Sequence, residues 1–373
     1  MAFRHYIQAE GKLLRCGYTT GTCAALAAAG AAELLLTGKC PESLCIMTPK
    51  GIEVTVEPQN LRLYSDTAEC GVYKDGGDDT DVTNGALIIA AVRRIDGDEI
   101  LILGGEGVGT VTKPGLDQPI GASAINRVPR EMIGASVQKV CKQAGYTGGM
   151  EVTISVPNGA LLAEKTFNPR LGIVGGISIL GTSGIVEPMS AQALVDSVRL
   201  ELRQNAALGH KKIIITPGNY GADFLAARGM TQDIPNIKCS NYVGAALDEA
   251  GVLGFEQVLL VGHVGKFVKL AGGIMNTHSR EADCRAEIFC AHAAICGADA
   301  ALCRKLMQSV TADACIALLD EAKIRDAVMR SIMASVEDRV CRRVGGKYRV
   351  GVIMFSNEYG ILGECGDTEG IWE

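Results

Sequence analysis

Aromatic side chains are scarce in this sequence, at 5%, and blocks of consecutive basic residues are absent. With 36 Lys and Arg against 42 Asp and Glu, the formal net charge is −6. No electrostatic reason remains to expect a nucleic-acid or membrane-surface partner, and a small molecule is the expected ligand. Cys-x-x-Cys spacing is also missing, although there are fourteen cysteines. Scattered thiols in a chain this long need no disulfide staples and read as reduced cytosolic groups. Cys284, Cys290, Cys296 and Cys303 recur at spacings that spread them around a helix, so no metal site is expected. Long apolar runs are lacking too. Ala24 to Leu36 starts late for a signal peptide and contains Glu33, and the uncharged stretch Leu171 to Val186 is broken by five glycines. A bilayer span needs about 20 apolar residues. A cytoplasmic protein without a signal peptide is expected.

Glycine is what the sequence has in excess, 46 of 373 residues. Clustered glycines let backbone bend through positive φ and approach a ligand closely, or simply make tight turns. The length suits about two domains at roughly 150 residues each. Residues 1–168 read as an α+β domain: a helix from Cys23 to Thr37 capped by Thr22 and ended by Gly38, then strands at Leu44 to Met47, Ile52 to Glu57, Gly85 to Ile95 and Glu99 to Leu103. A helix at Glu131 to Ala144 and a strand at Glu151 to Val156 follow.

The rhythm changes at Asn168-Pro169. In residues 169–373 apolar runs alternate with helices: Ile173 to Leu180, Ser190 to Ala207, Lys212 to Ile215, Ala222 to Arg228, Ile237, Ser240 to Ala250 and Val258 to Val261. That alternation predicts a Rossmann-like α/β domain with a mostly parallel sheet and flanking helices. Helices from Ala282 to about Arg343 and a final strand Tyr348 to Phe355 complete it.

Ligands bind at the carboxyl edge of such sheets. Three loops are expected there: Gly181-Thr182-Ser183-Gly184, Thr216-Pro217-Gly218-Asn219-Tyr220-Gly221 and Gly262-His263-Val264-Gly265-Lys266. The usual nucleotide fingerprints fail. Gly105-Glu106-Gly107-Val108-Gly109 precedes a β-prone Thr110-Val111-Thr112 and reads as a hairpin, and after Gly176 and Gly181 a threonine stands where a phosphate loop needs lysine. Thr19, Thr20 and Thr22 at a helix start could hold an anion, against the plainer role of a cap. Asp81, among Asp75, Asp78 and Asp79, stands out as a functional carboxylate, though acidic turns facing solvent are commoner. His263 and His278 are candidates for proton transfer or for structural roles.

In sequence order, Leu14 to Ala25, Asp78 to Gly85, Thr112 to Leu116, Gly176 to Ser190, Thr216 to Gly221, Cys239-Ser240-Asn241, Gly262 to Lys266 and Ala271 to Ser279 resemble the cobalt-precorrin-5B C(1)-methyltransferase family of anaerobic cobalamin biosynthesis. One departure is Arg127, where the family pattern leads one to expect Pro after Asn126. The resemblance implies methylation of carbon 1 of a cobalt-bearing tetrapyrrole by S-adenosylmethionine, giving cobalt-precorrin-6A, with cobalt present only in the substrate. Donor contacts are then expected from Gly181, Thr182, Gly184, Gly218, Asn219, Tyr220, Ser240 and Asn241. Thr19, Thr20, Thr22, Lys113, Arg130 and Lys266 are expected to hold the macrocycle's carboxylates, and His263, His278 or Asp81 to take the departing proton. The alternatives are a tetrapyrrole carrier without chemistry, which would show no donor affinity, and an NAD(P)-dependent oxidoreductase, which lacks its Gly-x-Gly-x-x-G turn. A homo-oligomer is left open.

Overall fold

Alternation of buried and exposed side chains builds the first sheet. Ala68, Cys70 and Val72 face inward from one strand and Ile88, Ala90 and Val92 from its neighbour. The computed structural model describes residues 3–9, 11–230 and 234–372, in two units, Met1–Ser190 and Ala191–Glu373. The first unit's main sheet has five strands among the described residues: β1 (Gln59–Leu63), β2 (Thr67–Tyr73), β3 (Leu87–Ile95), β4 (Ile100–Gly104) and β5 (Gly149–Ser155). Their order is β1-β2-β3-β5-β4, antiparallel except for the parallel pair β5 and β4.

Helix α1 (Thr20–Thr37) lies on β2 and β3, with α2 (Arg127–Gln143) against it. Its run Ala24 to Ala28 is fully buried, and small side chains let neighbouring backbones come close. By length and composition α1 could cross a membrane, but most of it is buried inside this unit. The helix starts earlier than its sequence suggests. Thr19, not Thr22, is the cap, its hydroxyl accepting from Thr22 N at 3.2 Å, while Gly38 ends the helix in the left-handed region as expected.

The second unit has the order β7-β6-β8-β9-β10, from β6 (Lys212–Thr216), β7 (Asn236–Lys238), β8 (Gln257–His263), β9 (Arg349–Ser356) and β10 (Gly360–Gly366). The first four are parallel and β10 is antiparallel to β9. Flanking helices are α3 (Ala191–Ala207), α4 (Asn219–Ala227), α5 (Val243–Val252) and α6 (Val264–Ala271). Then come α7 (Arg285–Ile295), α8 (Ala300–Met307), α9 (Ala312–Glu321) and α10 (Arg325–Val344). Central β8 is buried along almost its whole length, which explains its unbroken apolar sequence. The protein is thus a mixed α/β chain.

Three expectations need correction. The division falls after Ser190, not at Asn168-Pro169. Ile173 to Leu180 is no strand of the parallel sheet: Ile173–Val174 pairs with Thr110–Val111, and Ile177 and Ile179 form isolated bridges to Val108 and Ile125. The apolar run is explained by burial of Ile177 and Ile179 in the first unit's core. Nor does Gly105 to Gly109 turn a hairpin, because β4 pairs with β5 while Thr110–Val111 pairs elsewhere. Gly107, at φ +71°, lies at a crossing of backbones. A Cβ there would sit 2.0 Å from Val156 O, and one on Gly159 or Gly176 would sit 2.2 Å from Gly107 O. The glycines are there for contact between chain segments, not for a phosphate.

Gly107→Ala is expected to cost more than about 2 kcal/mol, from left-handed strain plus the clash. Gly134→Ala, inside α2 with nothing within 4 Å of the new Cβ, should gain about 0.5 to 1 kcal/mol. Urea titrations of both variants check the pair; equal effects would contradict the backbone-crossing account.

Candidate active site

At the carboxyl edge of the second unit, β6 ends in Thr216, β7 in Lys238, β8 in His263 and β9 in Ser356. From β6 the chain goes to β7 on one side, and β8 lies on the other, so the crevice where strand order reverses opens between the ends of β6 and β8. Gly218 is open there, since a Cβ on it would meet nothing within 4 Å. Tyr220 is 66% exposed with its ring 6.3 Å from that of His263. Lys238 Nζ donates to Asn219 Oδ1 at 2.5 Å. Ser240 holds a left-handed backbone at φ +53°, and Thr277 N and Oγ1 bond to Asn241 O and Oδ1. These contacts tie the segment Asn276 to Ser279 to the loop after β7.

Lys266, in the first turn of α6, is half-buried and makes no hydrogen bond or ion pair with the described residues. Burial pulls its pKa down, partly opposed by the nearby Cys239 thiol. Cys239 is fully buried, which pushes its own pKa up to about 12. Lys269, one turn on, is 1% exposed and donates to Thr277 O at 3.1 Å, Ser279 Oγ at 3.3 Å and Ala282 O at 3.0 Å. Its ammonium is therefore satisfied, and it moulds the loop that carries His278. In the sequence Lys269 reads only as a second cation beside Lys266, because amphipathic spacing alone cannot tell a buried lysine from a solvated one.

Both histidines are already committed. His263 caps α6, its Nδ1 accepting from Gly265 N at 3.1 Å. His278 Nδ1 accepts from Arg280 N at 3.2 Å. A backbone N–H can only donate, so each neutral ring carries its hydrogen on Nε2 and has its one lone pair in use. The His263 Nε2 faces Asp313 at 3.9 Å, and Asp313 in turn accepts from buried Ser356 Oγ at 2.6 Å. Each ring thus has a structural part through its Nδ1, beside the part as a base expected from sequence. Asp81 is engaged as well. Burial would raise its pKa, but the Lys74 ammonium at 2.5 Å and two bonds from Thr83 outweigh that and hold it low. Lys74 is itself 3% exposed, so this ion pair is structural.

The threonine site closes in the same way. Thr20 Oγ1 bonds Leu180 N and O, Thr22 Oγ1 donates to Gly184 O at 2.6 Å, and Thr19 Oγ1 caps the helix. Gly21 N and Thr19 N donate to Leu180 O and Gly184 O. The donors expected for an anion therefore hold Leu180 and Gly184, the two ends of the loop that carries Gly181 and Thr182, which lies in the first unit and follows no strand of the parallel sheet. Arg130 is likewise taken, donating to Ile125 O and Ile102 O, both at 2.9 Å, and burial lowers its pKa. Lys113 stays exposed, with Nζ 3.3 Å from Arg170 O.

A groove of about 600 Å³ lies in the first unit between α1, α2 and the strand Leu44–Met47. Its rim carries Glu33, Glu131 and Lys139, a balance that does not suit a polyanion. The strand-end crevice is the better candidate, because its polar groups converge on open backbone. Among the described residues no group of His, Cys, Asp and Glu could hold a metal ion, and the cysteines are free thiols.

Residues 7–188 match the CbiD family, and residues 276–366 match the family described as CbiD, C-terminal domain. The chain belongs to the CbiD family. A relative named cobalt-precorrin-5B C(1)-methyltransferase from Ruminiclostridium cellulolyticum is 46% identical over 352 residues, 94% of this chain and 91% of that one. One of the same name from Alkaliphilus metalliredigens is 43% identical over 96% of this chain and 94% of its own. A crystal structure of the cobalamin biosynthesis protein cbiD from Archaeoglobus fulgidus is 32% identical, covers 74% of this chain and 86% of that one, and has a TM-score of 0.40. In this CbiD chain Arg127 occupies the first helical position of α2, where proline is favoured. Its N–H, which proline would lack, donates to the Asp117 carboxylate.

The Asp81 carboxylate carries a pH dependence. A depressed folded pKa adds stability that is fully present above the unfolded value, near 3.9, and is lost as pH falls through the folded value. Asp81→Asn should cost about 2 to 4 kcal/mol at neutral pH by leaving the Lys74 ammonium unpaired, and should flatten the acid limb of the stability curve. Denaturation midpoints between pH 7 and pH 3 check this; an unaltered acid limb would place the acid sensitivity elsewhere.

Proposed function

We propose that the chain transfers a methyl group from S-adenosylmethionine to carbon 1 of cobalt-precorrin-5B, giving cobalt-precorrin-6A, as a cytoplasmic enzyme with cobalt held only in its substrate. The observation that carries the reading is the likeness to methyltransferases of that name along nearly the whole chain. We read the second unit as Rossmann-like, on its four parallel strands and the helices that follow β6, β7 and β8. Donor contacts belong at its carboxyl edge, to Gly218, Asn219, Tyr220, Ser240 and Asn241.

The fit rests on three features of that edge. Backbone at Gly218 is open, an exposed ring at Tyr220 is available for stacking, and Lys266 is a half-buried cation without an acidic partner among the described residues. Lys266 suits a carboxylate of the donor or of the macrocycle, and Lys113 suits one of the macrocycle. The bound donor supplies an electrophilic methyl on a sulfonium, and carbon 1 supplies the electron pair. The new carbon–carbon bond forms as the sulfur–carbon bond breaks, which leaves the protein to align the partners and exclude water. Lys269 supports that alignment by fixing the segment Asn276 to Ser279. With His263 and His278 capped and Asp81 paired, the departing proton goes to water or to a carboxylate of the macrocycle.

Under anaerobic incubation with both substrates, the pigment should gain the mass of one methyl in place of hydrogen. Gly218→Val has room to fold but fills the open backbone, so calorimetry should find donor affinity reduced by about tenfold or more. Retained affinity in the folded variant would move the donor off this edge. His263→Asn keeps an acceptor for Gly265 N and should hold methyl transfer within about tenfold of wild type. Loss of about 100-fold or more at unchanged stability would instead restore His263 as a base.

A further inference from the structure

Several arginines of this acidic chain are held in ion pairs: Arg15 by Asp75, Arg93 by Glu151, Arg285 by Asp283 and Arg343 by Asp248. Lys113 and Arg170, side by side on the first unit, are not. Neither has a carboxylate partner among the described residues, and Lys113 Nζ donates to Arg170 O at 3.3 Å. We propose that Lys113, Phe167, Arg170 and Val174 form the surface on which the polycarboxylate macrocycle lands, Lys113 and Arg170 gripping its side-chain carboxylates and Phe167 and Val174 meeting its ring face. The inference rests on the tetrapyrrole reading above and adds Phe167, Arg170 and Val174 to it.

The surface is held from beneath. Thr112 N and Oγ1 both donate to Gly172 O, at 2.8 and 2.7 Å, and Val111 pairs with Ile173, so the two loops are zipped together. Below them Val111, Ala124 and Ile173 are buried in a small apolar cluster with Leu116 and Leu171 against it. Gly172 has φ +70°, and a Cβ on it would lie 2.4 Å from Lys113 Cγ. The lysine stem therefore lies across bare backbone, which steers its ammonium towards Arg170. The Arg170 guanidinium stands 6.0 Å from the Phe167 ring centroid, within cation–π range.

On this base two large apolar side chains are left in water, Phe167 at 68% and Val174 at 58% exposed. A phenyl ring within cation–π range of Arg170, a second cation hydrogen-bonded to that residue and an exposed isopropyl group on the strand paired to the Lys113 loop match one kind of ligand, a flat conjugated ring fringed with carboxylates. Each carboxylate placed on Lys113 or Arg170 makes a charge-assisted hydrogen bond. The ring face covers apolar surface that otherwise stays hydrated. The local positive field also offsets the repulsion that the chain's net charge of −6 imposes on a polyanion.

The test uses uroporphyrin, an octacarboxylate porphyrin, as the probe, with fluorescence anisotropy read at low and high salt. Wild type, the double variant Lys113→Ala with Arg170→Ala, and Phe167→Ala are compared, all on the full chain and with melting temperatures recorded. The double variant should bind about tenfold or more weakly and lose salt dependence, and Phe167→Ala should bind several-fold more weakly. Affinity for S-adenosylhomocysteine, by calorimetry, should stay the same in all three. Porphyrin affinity unchanged in both variants would overturn the inference. So would a single-stranded oligonucleotide that binds as tightly and suffers the same losses, since the patch would then be a general polyanion surface. If wild type transfers no methyl while the variants still lose porphyrin, the methyltransferase reading fails and the landing surface stands.

Discussion

Buried polar groups must be satisfied, and each unit is organised around one such requirement. In the first, the hydroxyls and amides of Thr19 to Thr22 meet the backbone of Leu180 to Gly184, across a sequence separation of 160 residues at Thr20 and Leu180. In the second, the Lys269 ammonium meets three oxygens of the segment Thr277 to Ala282. Most of the polar residues that invite a functional reading turn out to be answering this demand.

The consequence for function is subtraction. With Thr19, Thr20, Thr22, Arg130, Asp81, His263 and His278 in structural bonds, the candidates that keep free capacity are the open backbone at Gly218, the exposed ring of Tyr220, half-buried Lys266, and Lys113 and Arg170, which have no carboxylate partner among the described residues. None is a carboxylate or an imidazole. That suits a displacement in which the substrates bring both the nucleophile and the leaving group, and the protein supplies position and a water-poor setting.

The glycine surplus divides along the same line. Gly107, Gly159 and Gly176 lie where backbones cross within van der Waals range, and Gly172 makes room for a lysine stem. These are packing devices, although their spacing in sequence imitates nucleotide fingerprints. Gly218 differs because nothing lies over it. Openness of that kind is a property of the folded surface and leaves no trace in spacing.

By itself the sequence determined the elements with a strong period or a clear stop. These were α1 with Gly38 behind it, the parallel strands read at Lys212 to Ile215 and Val258 to Val261, the helices between them, and the family to which the chain belongs. Periodicity and capping are local, so they survive in the order of residues. It missed β1 and the last strand β10, whose residues are half-exposed and weakly patterned, and β2, whose inward Ala68 has little strand propensity. Only tertiary structure decided that Ile177 and Ile179 are buried core of the first unit, that the threonines bond to a loop 160 residues away, and that His263 and His278 each accept a backbone N–H. Whether a polar group is free depends on partners far away in sequence, and folding alone brings those partners within hydrogen-bond reach.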